Sequence, residues 1–322
     1  MKPGLAIGAI VTVLASGVAA LTFTRHFPGV GARIIYLPRV SAVATAARPD
    51  VRRSVKLERI VFASHRDGRY HLHLIYPDGS GETELTSGLG EETTPAWSPS
   101  GDAIAFAGSI KARTSKVASD IYIVRADGNG LVRLTTGPEN DEDPSWSPGG
   151  TRIVFTSSDR STGGTRIRIA NIDGSRAAQL PQPPKGCIDR EPAWSPDGVT
   201  IAFARQCLGE SSRLFLIRVD GTGLLDLEGF GRTPDWSPDG SKLAYTGWGR
   251  EGPAIYLVNA DGSGKVQLTT DGSGDPVWSP DGLRIAFTAN EFVALKLFVI
   301  NIDGSDQRPL TTGTSNETNP SW

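Results

Sequence analysis

A tryptophan returns along the 322-residue chain at nearly even intervals. Trp97, Trp146, Trp194, Trp236, Trp278 and Trp322 are separated by 49, 48, 42, 42 and 44 residues, and the first five each open a Trp-Ser-Pro triplet. A period of this length means one supersecondary unit repeated, with each copy burying its apolar face on the next. After each Ser-Pro turn comes a short apolar run: Ile104-Ala105-Phe106, Ile153-Val154-Phe155, Ile201-Ala202-Phe203, Leu243-Ala244-Tyr245 and Ile285-Ala286-Phe287. A sixth, Ile60-Val61-Phe62, stands at the front without a Trp before it. A third run in every unit leads into an Asp-Gly pair, at Asp78, Asp127, Asp173, Asp220, Asp261 and Asp303. Asp-Gly between apolar runs predicts a tight antiparallel hairpin, because Gly accepts positive φ and Asp tolerates it. A fourth strand ends at Leu-Thr pairs such as Leu85-Thr86 and Leu134-Thr135.

Four short strands per repeat make one propeller blade, and the small middle residue of the second strand lets neighbouring sheets approach. The front unit lacks a Trp strand, whereas Asn319-Pro320-Ser321-Trp322 is a Trp strand with nothing after it. The expected fold is therefore all-β: a six-bladed β-propeller over residues 59–322, closed by a one-plus-three strand clasp that leaves no free sheet edge.

The repeated Pro-x-Trp-Ser-Pro-Asp-Gly, Ile-Ala-Phe, Ile-Tyr-x-Val-x-x-Asp-Gly-Ser and Leu-Thr segments resemble the WD40-like PD40 repeats of TolB-type six-bladed propellers. The resemblance implies that fold and a non-enzymatic protein- or peptide-binding scaffold in the cell envelope. One fold hosts many functions, so activity has to be argued from the site.

Ahead of the repeats, Gly4 to Phe23 carries no charged residue, and Val18-Ala19-Ala20 has the small residues of a signal-peptidase site. Residues 1–24 are expected to form a hydrophobic helix, serving equally as a cleaved signal peptide or as an uncleaved membrane anchor. Residues 25–58 read as a linker. The expected location is periplasmic or extracellular, with membrane contact only through an uncleaved leader, and the expected state is a monomer. The net charge of −2 hides an asymmetry: residues 1–53 hold seven Lys/Arg and one acid, so the remainder has 26 Lys/Arg against 34 Asp/Glu. An acidic body repels phosphate, which argues against nucleic acid as a partner.

Strand parity places the Ser-Pro-x-Gly and Asp-Gly turns at one end of the blades and the variable loops, such as Ala107 to Asp120 and Pro181 to Glu191, at the other. Three residues before each repeat Trp stand Thr94, Asp143, Glu191, Thr233, Asp275 and Asn319, a polar ring at the channel mouth. With Glu92, Asp141, Glu91, Glu142 and Asp189 nearby, that variable face should be negative and suit a cation, an amine or a basic peptide. A protein or peptide partner is expected there. No cofactor is implied, although these oxygens are of the kind that hold Ca2+; no EF-hand spacing is present.

Cys187 and Cys207 fall on the variable end of one blade and are candidates for a disulfide. His73 occupies the slot of Tyr122, Arg168, Phe215, Tyr256 and Phe298, which reads as packing, and His71 falls at a polar strand-start slot. No GxSxG elbow occurs and no His follows His73, so an α/β-hydrolase triad is excluded and no catalytic residue is assigned. The rival function is a carbohydrate-active lyase or hydrolase using channel carboxylates.

Overall fold

The computed structural model describes residues 10–13, 19–22 and 59–322, except 110–117, 271, 292 and 293. The chain has two compact parts, residues 1–51 and 52–322. In the first, Ile10–Val13 pairs antiparallel with Ala19–Thr22, where the sequence reading expects helix. The physical reason is local: Ile10, Val11, Thr12 and Val13 are all β-branched, which favours extended backbone. The remaining leader and linker assignments, and the loop segment 110–117, lie outside the described residues. Among the described residues no helix is long and apolar enough to cross a membrane.

Among the described residues of the second part the strands form four four-stranded antiparallel sheets and one seven-stranded sheet. One four-stranded sheet joins the two ends of the repeat array: Asn316–Ser321 pairs with Ile60–Arg66, which pairs with Arg69–Ile75 and then Thr83–Glu84. Counting this as unit 1, unit 2 is Glu91–Trp97, Ala103–Ser109, Asp120–Arg125 and Val132–Arg133, and unit 3 is Asn140–Trp146, Arg152–Ser158, Thr165–Asn171 and Arg176–Gln179. Unit 6 is Ser273–Trp278, Arg284–Glu291, Ala294–Asn301 and Arg308–Pro309. Units 4 and 5 are fused. Cys187–Trp194, Thr200–Cys207 and Arg213–Arg218 precede the long strand Leu225–Trp236, which is both the last strand of unit 4 and the first of unit 5, followed by Lys242–Trp248, Pro253–Asn259 and Val266–Gln267.

Apolar side chains on both faces of the second and third strands force the sheets to stack face to face, and the core accordingly lies between units. Val61, Leu72 and Leu74 of unit 1 meet Trp97, Phe106 and Tyr122 of unit 2, and equivalent clusters fill each later junction. The last cluster joins Val277, Ala286 and Leu297 of unit 6 to Ile60, Phe62 and Trp322 of unit 1, which closes the ring. In units 2, 4, 5 and 6 the second and third strands set aromatic rings across from one another, as in Phe106–Tyr122 with centroids 5.8 Å apart, while in unit 3 Phe155 stands across from Arg168. His73 takes that slot in unit 1, 5.7 Å from the Phe62 ring, and burial pushes its pKa down.

The Asp-Gly turns differ from the sequence expectation in one respect: only the glycine has positive φ. Gly79 donates to Tyr76 O at 2.9 Å and Tyr76 N donates to Ser80 O, a three-residue loop in which Asp78 keeps ordinary backbone and accepts from Ser80 N at 2.8 Å. Asp is favoured there for this side-chain acceptor and Gly for the left-handed bulge position. In unit 2 a Cβ on Gly128 would meet Leu85 O at 2.8 Å, so the same turn also docks on the preceding unit.

Candidate functional site

The six first strands face one another around a cavity of ≈ 390 Å³ whose lining includes Thr94, Asp143, Glu191, Thr233, Asp275 and Asn319. Each of these six precedes a proline and has φ between 46° and 55°. Non-glycine residues rarely adopt that conformation, and β-branched Thr94 and Thr233 least of all. The cause is a β-bulge. Glu142 pairs with Thr156 and Ser145 with Val154, so Asp143 and Pro144 together stand opposite one residue, and the register shifts in the same way in every first strand. A bulge bends the strand and re-aims side chains, and proline fits the position because it has no N–H to place in the ladder.

The bulge also frees a main-chain N–H at each ring residue, and these bonds pass from unit to unit. Asp143 N donates to Thr94 Oγ1 at 3.2 Å, Glu191 N to Thr156 Oγ1 at 2.9 Å, Thr233 N to Glu191 Oε2 at 2.8 Å, and Asp275 N to Thr246 Oγ1 at 3.0 Å. Thr156 in turn donates to Asp143 Oδ2 at 2.9 Å. Ring side chains are thus half tied into the scaffold and half open to the channel: all six are partly buried. Their carboxyls respond to that burial. Asp143 is pushed up to about 7 by burial, aided by the neighbouring Glu191 charge. Glu191 and Asp275 are also raised by burial, opposed in Glu191 by the Thr233 N–H and in Asp275 by the Arg232 charge.

Below the ring the units alternate in a way the repeat obscures. The residue before the Trp is polar in units 1, 3 and 5 and apolar in units 2, 4 and 6. Trp97 N donates to Ser321 Oγ at 3.0 Å, Trp194 N to Ser145 Oγ at 3.0 Å, and Trp278 N to Asp235 Oδ2 at 2.8 Å. In units 3 and 5 the indole makes the cross-unit bond instead, Trp146 Nε1 to Ala96 O at 3.0 Å and Trp236 Nε1 to Ala193 O at 3.2 Å. Asp235 is buried enough to be pushed up to about 7 although the main chains of Trp278 and Trp236 both donate to it. The channel wall is therefore built from pairs of units.

Two residues expected beside the ring as binding acids, Glu92 and Asp141, are buried inside the stack instead, 1% and 6% exposed. Glu92 takes the Thr86 hydroxyl, the Leu89 N–H at 3.1 Å and His71 Nδ1 at 3.2 Å, all from unit 1 or the connection out of it. Asp189 is similarly buried and bridged bidentately by Arg205 at 2.6 and 2.7 Å. Strand parity places a residue two before Thr94 or Asp143 on the same face; the bulge breaks that parity. Arg190 and Arg232 were missed. They stand immediately before Glu191 and Thr233, a position visible once the repeats are superposed, and their charges lower the neighbouring ring acids. The mouth therefore carries less negative charge than a count of its acids suggests.

On the variable end Cys187 and Cys207, paired in register at the open ends of their strands, form a disulfide. His71 is held by Glu92, as noted. Among the described residues no group of three or more His, Cys, Asp or Glu side chains converges as a metal site.

The TolB beta propeller domain model matches residues 41–230 and 226–322. Among solved structures, TolB from Acinetobacter baumannii superposes with a TM-score of 0.67 at 20% identity, covering 82% of this chain and 66% of that one. The putative TolB from Agrobacterium tumefaciens gives 0.60 at 19% identity, covering 80% and 90%. An oligogalacturonate lyase in complex with manganese gives 0.55 at 17% identity, covering 78% and 73%. This chain spans just under two thirds of the Acinetobacter protein. No curated protein matches the sequence.

Proposed function

Because the chain belongs to the TolB β-propeller family, we propose that it is a six-bladed, non-enzymatic binding scaffold of the cell envelope, in the periplasm, that takes a protein or peptide partner at the channel mouth on the variable face. The observation that carries this reading is the ring of six bulged residues. Strain of this kind costs about 1–3 kcal/mol per residue, and it recurs in every unit at a polar residue that lines one opening, with four residue types among the six. A rigid frame with varied groups at its mouth suits recognition. Thr94, Thr233 and Asn319 offer neutral donors and acceptors beside the three acids, which fits the main chain and amines of a peptide. The disulfide between Cys187 and Cys207 supports an oxidising compartment, where such bonds persist.

The test is affinity capture from native envelope extracts, comparing the natural chain with the triple variant Asp143→Asn, Glu191→Gln, Asp275→Asn. Loss of a stoichiometric partner, with the thermal midpoint retained or raised, is the expected result. Equal capture by both proteins moves the binding site away from the ring.

A second reading has one observation in its favour. Asp143, with its pKa near 7, is poised to exchange a proton at neutral pH, and the fold is similar to that of an oligogalacturonate lyase. Elimination on a polyuronide leaves an absorbing unsaturated product. Turnover that disappears in Asp143→Asn would replace the scaffold reading with an enzymatic one.

A further inference from the structure

In two units the residue just before the apolar run of the second strand lies over the Trp of the following unit. In unit 3 that residue is Arg152, and its guanidinium lies over the Trp194 ring, 4.8 Å from the centroid. In unit 6 it is Arg284, again 4.8 Å over the Trp322 ring, with Asp281 of its own Ser-Pro-Asp turn 3.5 Å away. In unit 4 the same position is Thr200, which lines one cavity with Trp236 of unit 5. The short side chain leaves a cavity of ≈ 450 Å³ between units 4 and 5 at the turn end, lined by Thr200, Leu216, Trp236, Asp197 and Asp239 among others.

Two carboxylates line this cavity, Asp197 and Asp239, and the cation beside Asp197 is Arg218, across the ladder from Thr200, with no cationic side chain at the Thr200 position itself to lie on the ring. Asp197 stands where Asp281 stands in unit 6, and Asp239 faces it from the turn of unit 5. The hydrogen bonds shown for both carboxylates converge on one oxygen. Asp197 Oδ1 takes the Ser195 hydroxyl at 2.5 Å and Val199 N at 3.0 Å, and Asp239 Oδ1 takes Ser237, Ser241 N and the Ser241 hydroxyl at 2.6, 3.0 and 2.8 Å. These bonds hold both groups ionised, Asp239 down to about 2. An aromatic face flanked by two fixed carboxylates is the pairing a planar guanidinium satisfies by stacking and by forked hydrogen bonds. The unit 2 position shows that small size alone is not enough. Ala103 stands there before Trp146, but its turns are Ser98-Pro99-Ser100 and Ser147-Pro148-Gly149, with no acid.

We propose that the cavity between units 4 and 5 is a guanidinium-binding site, in which an external guanidinium lies on the Trp236 indole between Asp197 and Asp239 as Arg284 lies on Trp322 beside Asp281. It is at the opposite end of the strands from the channel mouth and does not depend on the function proposed above. The ligand is either a free guanidinium compound or an arginine side chain on a partner protein.

Calorimetric titration distinguishes these, using N-acetyl-arginine amide and a capped Gly-Arg-Gly peptide as probes and their citrulline counterparts as neutral isosteres. Binding of both arginine probes identifies a site for any guanidinium; binding of the peptide alone identifies a protein-borne side chain. Thr200→Arg, which rebuilds the arrangement of units 3 and 6 internally, is expected to abolish either. Should that variant not fold, Asp197→Asn and Asp239→Asn provide the second test, each weakening the probe about threefold. Absence of binding by both arginine probes, equal binding of the citrulline probes, or binding unchanged in all variants overturns the site.

Discussion

Aspartate behaves in opposite ways at the turn end and in the channel of the same propeller. At the turn end Asp78, Asp127, Asp173, Asp220, Asp261 and Asp303 sit in water, and each is held below the usual carboxylate range by the residue two on, through its hydroxyl first and its N–H second in five of them and through the Asn129 N–H first in Asp127. In the channel Asp143, Asp235 and Asp275 are pushed up by burial. The number of donors does not explain the contrast, since Asp235 accepts from two main-chain N–H groups and still rises to about 7. Withdrawal from water outweighs those bonds, as expected when a charge is moved toward low dielectric. The turn acids therefore act as surface charge and turn closure, while the channel acids act as polar groups whose charge depends on pH.

The contrast presupposes that the channel is closed, so the largest expected effect comes from opening it. Deleting residues 316–322 removes the first strand of unit 1 and Trp322 from the cluster between units 6 and 1. Cooperative unfolding should be lost or the chain should associate through the exposed edge of Ile60–Arg66, seen by calorimetry and size-exclusion chromatography. A monomeric truncation that melts at the natural temperature would break the closure. Next in size is Glu317→Ala. Glu317 and Lys296 are 0% and 1% exposed and 3.6 Å apart, and Ser315 donates to the same carboxylate at 2.7 Å. Removing the acid leaves a buried ammonium without its partner, a loss of about 3–5 kcal/mol in denaturant titration. Asp261→Asn at the turn end, by contrast, should leave the midpoint almost unmoved, and a comparable fall there would erase the distinction between the two ends.

The parts legible in the sequence were those where one residue type answers one local demand. Trp-Ser-Pro-x-Gly and Asp-Gly mark turns whatever surrounds them, and the stray Trp strand at the end announced its own partner at Ile60-Val61-Phe62. The ring positions were legible as well, because the spacing to the Trp is constant. Their left-handed backbone was not: Thr94 before a proline reads as extended chain, and only the ladder with Ala103–Ser109 shows the extra residue. That one hidden bulge misassigned Glu92 and Asp141, whose side chains turn between units toward the Thr86 and Thr135 hydroxyls. The opposite ionisation of the two sets of acids was equally hidden, because burial depends on neighbours more than 40 residues away, such as Thr94 behind Asp143.

The most direct test of the contrast is a change of about 1–2 kcal/mol whose sign follows from linkage. Asp143 titrates near its ordinary 3.8 when unfolded and at about 7 when folded. Below the lower value both states are protonated and the group contributes nothing. Between the two values the unfolded chain gives up a proton that the folded chain keeps, so stability falls as pH rises, and above about pH 7 the loss is complete. Each pKa unit corresponds to about 1.4 kcal/mol; with channel water screening the partly open carboxylate, about 1–2 kcal/mol of the nominal loss should be measurable. Asp143→Asn keeps an acceptor for the Thr156 hydroxyl and removes the charge. It should therefore exceed the natural chain in stability by that amount at about pH 8 and match it at about pH 4. Denaturant midpoints across that range decide the matter. If the variant is instead weaker at about pH 8, the Arg190 charge is holding Asp143 ionised, and channel and turn acids obey the same rule after all.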